Sequence, residues 1–215
     1  MAIIGFDTVT KMLAIGLEAN GIIYQDNEIA ERKHAELLFV KIEKLLKQAD
    51  VNTKEIQAVA CGLGPGSFIG SRIGVTAAKT MAQVLGIHLV ASPTLDIIAQ
   101  SCTEKNLLVA TDAMRGEIFY AFYENGKRQG NIDVGKPEKL KLMLKNRKLT
   151  VCGDAIDKFP KVFNSLNQAD SSIWYPLGQN LINLAQMKIK ESQFEDPFKL
   201  IPIYVREVDA RESYL

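Results

Sequence analysis

The chain reads Cys61-Gly62-Leu63-Gly64-Pro65-Gly66-Ser67-Phe68-Ile69-Gly70-Ser71-Arg72-Ile73-Gly74 at the point that decides its fold. An apolar run over residues 56–63 predicts a buried strand before the turn, and a helical pattern over residues 70–85 follows it. A strand that passes through a glycine and proline turn into a helix is typical of α/β proteins. The first amide groups of such a helix can hold an anion.

The turn itself lacks both common phosphate-binding patterns. The P-loop pattern requires a lysine that is absent here, and the dinucleotide pattern GxGxxG fails at Ser67 and at Ile69. We therefore interpret the turn first as a tight corner, with a helix that begins at Ser67. An anion held at Gly66 and Ser67 stays open as the alternative.

The chain repeats one order of elements, three strands followed by a helix, a strand and a helix. In both units an Asn-Gly pair, Asn20-Gly21 or Asn125-Gly126, predicts a hairpin turn. The first unit is predicted to contain strands 2–9, 12–19, 22–27, 56–63 and 88–91 and helices 33–49, 70–85 and one opened by Ser92-Pro93. The second is predicted to contain strands 106–112, 118–123, 131–134 and 149–152 and helices from Pro137 and over 178–190. This repetition predicts a duplicated α/β architecture.

Asp7 and Asp112 occupy equivalent places at the end of the first strand of each unit. Each lies beside a hydroxyl residue, Thr8 or Thr111. Carboxylate and hydroxyl oxygens suit the Mg²⁺ ion of a bound nucleotide. Aspartate at a strand end also commonly serves as a turn former, and the sequence leaves both interpretations open.

The composition predicts a globular protein and argues against a nucleic-acid binder or a membrane-spanning protein. The 215 residues carry a formal net charge of +1 and 47% hydrophobic residues, which is typical of a globular protein and not of a dedicated nucleic-acid binder. Three widely separated cysteines beside apolar residues predict buried free thiols and a reducing cytoplasm. No apolar run reaches the roughly 18 residues of a membrane span, and the N-terminus lacks a signal-peptide pattern.

Catalytic patterns are sparse. The two histidines, His34 and His88, form neither HxxxH nor HExxH, so no helix carries a two-histidine metal site. The GxSxG pattern of α/β-hydrolases is absent, although Ser67 lies at a strand-to-helix turn. No histidine has a sequence context that marks it as the base for this serine.

The helix over residues 70–85 has more apolar surface than one sheet can cover. On a helical wheel its apolar residues span about 200°, and the polar stripe is about 100° wide. The helix therefore either lies between two layers of its own chain or contacts another protein. Both interpretations remain open at this point.

Five segments together resemble the bacterial TsaB (YeaZ) family in order and spacing. The most specific is the block GPGSFIGSRIG, residues 64–74. The others are Ile4-Gly5-Phe6-Asp7-Thr8, Lys33-His34-Ala35-Glu36-Leu37-Leu38, Asp112-Ala113-Met114-Arg115-Gly116-Glu117-Ile118 and Ile201-Pro202-Ile203-Tyr204-Val205-Arg206. The resemblance covers nearly the whole chain, and it implies an actin-like (ASKHA, ribonuclease H-like) fold with lobes 1–103 and 104–215.

The resemblance also implies a role in making threonylcarbamoyladenosine beside the anticodon of tRNA. It implies a non-catalytic cytoplasmic subunit that pairs with and activates the catalytic paralogue TsaD, together with the ATPase TsaE, and that forms a homodimer when alone. Contact with tRNA would come through the complex. The chain would hold no cofactor of its own, since ATP, Mg²⁺ and a metal ion belong to the partner subunits.

Residues of the family's partner interface carry over to the first two long helices. They are His34, Leu37, Leu38, Arg72, Val75, Thr76 and Lys79. The residues themselves, and not the resemblance, leave open a weaker nucleotide or anion site at Asp7, Thr8, Gly66, Ser67 and Asp112. On this reading, a Val75→Glu substitution is expected to abolish pairing without unfolding the chain.

The chain departs from three expected patterns, those of the catalytic relatives, of the family itself and of the phosphate-binding relatives. The metal-binding histidine pair that the catalytic relatives carry is absent from Val90–Asp96, and Ile69 stands where the family usually has threonine. The hairpin after Asp7 also lacks the glycines of phosphate-binding relatives. Two alternatives from other classes are a metal-dependent peptidase of the glycoprotease-like superfamily and a kinase-like enzyme on the same fold.

Overall fold

The computed structural model describes residues 2–205, in which two five-stranded sheets are covered by helices. The strands are β1 (Ala2–Asp7), β2 (Met12–Ala19), β3 (Ile22–Ile29), β4 (Ile56–Gly62), β5 (His88–Ser92), β6 (Asn106–Asp112), β7 (Ile118–Glu124), β8 (Lys127–Gly135), β9 (Thr150–Cys152) and β10 (Asn167–Gln168). The helices are α1 (His34–Gln48), α2 (Phe68–Leu85), α3 (Thr94–Ala99), α4 (Pro137–Leu144), α5 (Ala155–Lys158), α6 (Pro160–Phe163) and α7 (Gly178–Lys190). Within these residues no helix is long and apolar enough to cross a membrane.

The two sheets share one topology, which confirms the predicted duplication. The strand orders are β3-β2-β1-β4-β5 and β8-β7-β6-β9-β10. In each sheet the first three strands are antiparallel neighbours, and the later two strands run parallel to the first. The predicted hairpin turns are present, with Asn20 and Asn125 at positive φ before their glycines.

Helices cover both faces of the N-terminal sheet. On one face, Leu38 of α1 and Val75 of α2 belong to the core that these helices form with β1, β2 and β4. On the other face, Leu181, Ile182 and Ala185 of α7 pack against β1, β4 and β5. Each face of this sheet is therefore buried, in keeping with the apolar sequence of its parallel strands.

Two helices pack across the boundary that the sequence predicts between lobes 1–103 and 104–215. The last helix, α7, packs against the strands of the N-terminal sheet, and α3 packs against β6 and β7 of the C-terminal sheet. Gly16 and Gly178 allow this exchange, because a Cβ atom at Gly178 would lie 2.1 Å from the Ile15 carbonyl oxygen. A cut after residue 103 would leave each sheet without a helix that covers it.

Smaller differences concern element ends and thiols. β8 begins four residues earlier than predicted, and the short helices α5 and α6 have no long periodic pattern that could have revealed them. Cys61 and Cys152 are buried free thiols as expected, whereas Cys102 is half-buried. Arg206, the last residue of the fifth family-like segment, lies outside the described residues.

Candidate functional site

The turn between β4 and α2 is held by contacts within the chain. The Ser67 hydroxyl oxygen accepts the Gly70 amide at 3.1 Å and so caps α2. The Thr8 hydroxyl donates to the Gly70 carbonyl oxygen at 2.7 Å. A Cβ atom at Gly66 would lie 2.4 Å from the Val9 side chain. These contacts match the interpretation of the turn as a tight corner.

Asp7 is enclosed beneath this corner. It is fully buried, and its carboxylate accepts the Val9 amide at 2.8 Å and the Thr94 hydroxyl at 2.7 Å. Burial raises the pKa of Asp7 to about 6. Thr8 is also fully buried. Both side chains are thus enclosed and bonded within the protein, and the expectation that Asp7 and Thr8 hold a nucleotide or Mg²⁺ stays a prediction.

Asp112 differs from Asp7 although it holds the equivalent place in the second unit. Its carboxylate is partly exposed, accepts the Met114 amide at 2.9 Å and pairs with Lys158 at 2.6 Å. The Asp112 amide donates to the Asp154 carboxylate at 2.9 Å. Burial raises the pKa of Asp154. The symmetry of the sequence thus does not extend to the surroundings of the two aspartates.

A cleft of about 730 Å³ separates the two lobes, and Gly66, Ser67 and Asp112 line it. Lys11 of the N-terminal lobe lies 5.0 Å from the ring centroid of Tyr175 across the cleft. Hydrogen bonding to Tyr175 raises the pKa of Lys11. Lys158 and Asp154 add charges of both signs. The cleft therefore brings three of the five predicted nucleotide-site residues together and excludes the two enclosed ones.

In the described part of the chain, no group of three or more His, Cys, Asp or Glu side chains could hold a metal ion. His34 lines the cleft, but its side chain is buried and its Nε2 atom has no hydrogen-bond partner. The Ser67 hydroxyl oxygen is engaged as the helix cap.

The predicted partner interface is corrected at three residues. His34, Leu38 and Val75 are buried within the chain, so they do not form an accessible surface, and Val75→Glu would place a charge in the core. They were assigned to the interface through the family resemblance, which does not report which side of each helix faces the sheet. Arg72 and Thr76 are exposed.

The remaining two predicted residues, Leu37 and Lys79, are half-buried. Lys79 donates to the Leu200 carbonyl oxygen at 2.9 Å. The Arg72 guanidinium lies 3.6 Å from the ring centroid of Phe68, and its Nε donates to the Tyr204 hydroxyl at 3.2 Å. Arg72 and Lys79 thus attach the segment near residues 200–204 to α2.

Large apolar side chains on α1 and α2 are exposed at other positions. Phe39 and Val40 on α1 are 55% and 63% exposed, and Phe68 and Ile69 on α2 are 54% and 71% exposed. We call these four residues the apolar helix surface. The two helices contact each other on the same face of the sheet. In the sequence, Phe39 and Val40 break the periodic pattern that Leu38, Ile42 and Leu45 set, which is the signal that could have revealed them.

Sequence comparisons agree with the family-like segments. A family model described as TsaD, tRNA N6-adenosine threonylcarbamoyltransferase, matches residues 19–172. The tRNA threonylcarbamoyladenosine biosynthesis protein TsaB of Escherichia coli K12 is 26% identical, across 96% of this chain and 95% of its own length. TsaB of Buchnera aphidicola subsp. Schizaphis graminum is 28% identical, across 84% of this chain and 90% of its own length.

Structural comparison shows the same fold in solved proteins. The solved structure of YeaZ from Pseudomonas aeruginosa superposes with a TM-score of 0.85 at 24% identity, over 94% of this chain and 99% of that one. A second Pseudomonas structure, described as an uncharacterized protein with similarity to peptidase YEAZ, also gives 0.85, at 23% identity. The chain therefore belongs to the TsaD-related threonylcarbamoyltransferase family and, within it, to the TsaB (YeaZ) family.

Proposed function

We propose that this protein is a non-catalytic subunit for threonylcarbamoyladenosine modification of tRNA beside the anticodon. It pairs with and activates the catalytic paralogue TsaD, and it acts together with the ATPase TsaE in the cytoplasm. The observation that carries the proposal is the match to proteins named TsaB across nearly the full length of both chains.

The non-catalytic assignment is supported by the enclosed state of Asp7 and Thr8. A strand-end aspartate that binds Mg²⁺ must present its oxygens to the cleft. Here both Asp7 oxygens accept hydrogen bonds within the protein, and the Thr8 hydroxyl is bonded to Gly70. We therefore expect ATP, Mg²⁺ and the catalytic metal ion in the partner subunits and no cofactor held by this chain.

The apolar helix surface supports pairing through α1 and α2. Exposed aromatic and aliphatic side chains on neighbouring helices are typical of the core of a protein interface. Arg72 and Thr76 are exposed on α2 and would lie at the polar rim of this interface, where they add orientation more than affinity. The same surface would form the homodimer of the free protein.

Pairing can be tested with Val40→Glu combined with Ile69→Glu. Both side chains are largely exposed, and a glutamate at the second residue of α2 suits the positive end of the helix dipole, so the fold is expected to be retained. Burying two carboxylates at an apolar interface should weaken binding to TsaD at least a hundredfold. Analytical size exclusion and calorimetry of the mixed proteins measure this loss.

The matched control is Leu142→Glu, which replaces a side chain that is 75% exposed on α4 in the other lobe. It should bind TsaD as the unchanged protein does. Full affinity in the α1–α2 variant would contradict the assignment of the interface, and failure of the unchanged protein to bind TsaD would contradict the partner role.

A further inference from the structure

Positive charge is concentrated in one part of the C-terminal lobe. Residues 136–161 contain eight lysines and arginines and three aspartates and glutamates, although the whole chain carries only +1. The rest of the chain is therefore acidic on balance. Such segregation of charge is typical of a surface that meets a polyanion.

These charges surround a groove of about 700 Å³. We call it the basic groove; its walls are the turn before β7, the start of α4 and the α5–α6 segment. The cationic side chains that line it are Arg115, Lys136, Lys141, Lys158 and Lys161. Glu117 and Glu138 are the acidic residues of its lining, so cations outnumber carboxylates.

Most of these cations are not neutralised within the protein. Lys158 pairs with Asp112 at 2.6 Å, whereas Arg115, Lys136, Lys141 and Lys161 form no ion pair with any residue of the described range 2–205. All four are exposed. Unpaired cations in a concave surface raise the local concentration of anions.

Two further features of the groove suit a phosphate backbone. The first turn of α4 lies in the wall, and Lys136 at its N-cap position gives no side-chain cap. Pro137 has no amide hydrogen, so the donors that this helix start offers an acceptor are the amides of Glu138 and Lys139. The half-buried ring of Phe159 lines the same groove and provides an apolar face for a base.

We infer that the basic groove binds the phosphate backbone of tRNA while the complex acts on it. This inference rests on the proposed function, which makes tRNA the polyanion that the protein meets. Five cations distributed along an open groove fit a chain of phosphates better than a single phosphate group, which would require converging side chains. The near-neutral charge of the whole chain predicts weak, salt-sensitive binding by the isolated subunit.

The test is a pair of substitutions, Lys136→Glu with Lys141→Glu, and a matched control, Lys54→Glu with Lys190→Glu, at exposed sites outside the groove. A fluorescein-labelled tRNA transcript is titrated in anisotropy measurements from low to moderate salt. The groove variant should bind about tenfold more weakly, and its slope of log K against log salt should fall by about 2 units. The control should match the unchanged protein.

The second readout is the Michaelis constant for tRNA in a reaction rebuilt from TsaD, TsaE and threonylcarbamoyl-adenylate. The groove variant should raise this constant while it still binds TsaD. If product depends on the protein but the constant is unchanged, the groove assignment is wrong and the proposed function stands. If product does not depend on the protein, the proposed function is wrong, and the anisotropy result still decides the groove.

Two other outcomes would overturn the inference. Equal weakening of both variants would mean that RNA responds to overall charge and not to the groove. Binding of the unchanged protein to phosphatidylserine vesicles, with none to RNA, would assign the positive surface to a membrane. Circular dichroism and thermal melts of both variants establish that each remains folded.

Discussion

The carboxylate of Asp7 has a structural role, because its hydrogen bonds connect separate parts of the chain. Its oxygens join the end of β1 to Val9 and to Thr94 at the start of α3, a residue 87 positions later in the chain. A Cβ atom at Gly62 would lie 1.8 Å from an Asp7 oxygen, so the neighbouring strand must carry glycine there. The sequence predicted an aspartate at a strand end, but it could not predict these distant partners.

The pKa of Asp7 leads to a prediction for stability against pH. Its folded pKa of about 6 lies above the ordinary value near 4, so the folded state holds the proton more tightly than the unfolded state. The stabilisation from this group is fully present below pH 4 and is lost as the pH rises through 6. Over this window the free energy of unfolding should lose about 3 kcal/mol from Asp7 alone.

Asp7→Asn removes the titrating group while it keeps a side-chain oxygen for the Val9 amide. Urea unfolding of both proteins between pH 4.5 and 7.5 measures the difference. We expect the unfolding free energy of the unchanged protein to fall as the pH rises, whereas that of the variant lacks this fall. The difference between the two proteins should therefore change with pH in favour of the variant. Parallel curves for the two proteins would contradict the raised pKa.

At the scale of elements, the long periodic segments were predictable and the faces of the helices were not. α7 was predicted at its observed bounds, and β2, β4 and β6 within one residue, because apolar spacing directly reports the period of an element. Spacing does not report which neighbour covers a face. Leu38 and Val75 were assigned to a partner through the family resemblance, although the N-terminal sheet covers both.

The N-terminus of α7 is capped by distant residues, which the spacing of apolar residues does not predict. Its first amides are capped from another part of the chain, by Asn27 Oδ1 at 2.8 Å from the Gly178 amide and Gln25 Oε1 at 3.2 Å from the Gln179 amide. Both acceptors belong to β3, about 150 residues earlier in the sequence. No local sequence pattern predicts a helix cap whose acceptors come from a distant strand.

Gly178→Ala should lift α7 from the N-terminal sheet. The added methyl group would lie 2.1 Å from the Ile15 carbonyl oxygen, a backbone atom that cannot move alone. Overpacking of this kind destabilises proteins by about 1–3 kcal/mol, which denaturant unfolding resolves easily.

The control is Gly135→Ala, whose added methyl group would meet the Tyr120 ring at an ordinary 3.4 Å. It should change stability by less than about 0.5 kcal/mol. Equal stability of the Gly178 variant and this control would mean that α7 does not pack as described.

For the whole molecule, the duplicated topology and the family could both be predicted from sequence. The exchange of α3 and α7 between the sheets could not, because it depends on close approaches such as that of Gly16 to Gly178. The candidate nucleotide site was likewise predicted only in part. Gly66, Ser67 and Asp112 line the cleft, whereas Asp7 and Thr8 are enclosed, and burial of that kind is decided by the whole fold.

The proposed partner role accounts for both the apolar helix surface and the basic groove. The apolar helix surface belongs to the N-terminal lobe, and the basic groove belongs to the C-terminal lobe. A subunit that pairs through one lobe leaves the other free to meet the RNA. Loss of pairing and loss of RNA contact are therefore expected to be separable by substitution.

The most direct test of the partner role is a titration of this protein into fixed amounts of TsaD, TsaE, threonylcarbamoyl-adenylate and tRNA. Threonylcarbamoyladenosine is quantified by mass spectrometry of the digested tRNA. We predict almost no product without the protein and a rate that saturates when it equals TsaD in amount. A rate that is unchanged across the titration would contradict the proposed function.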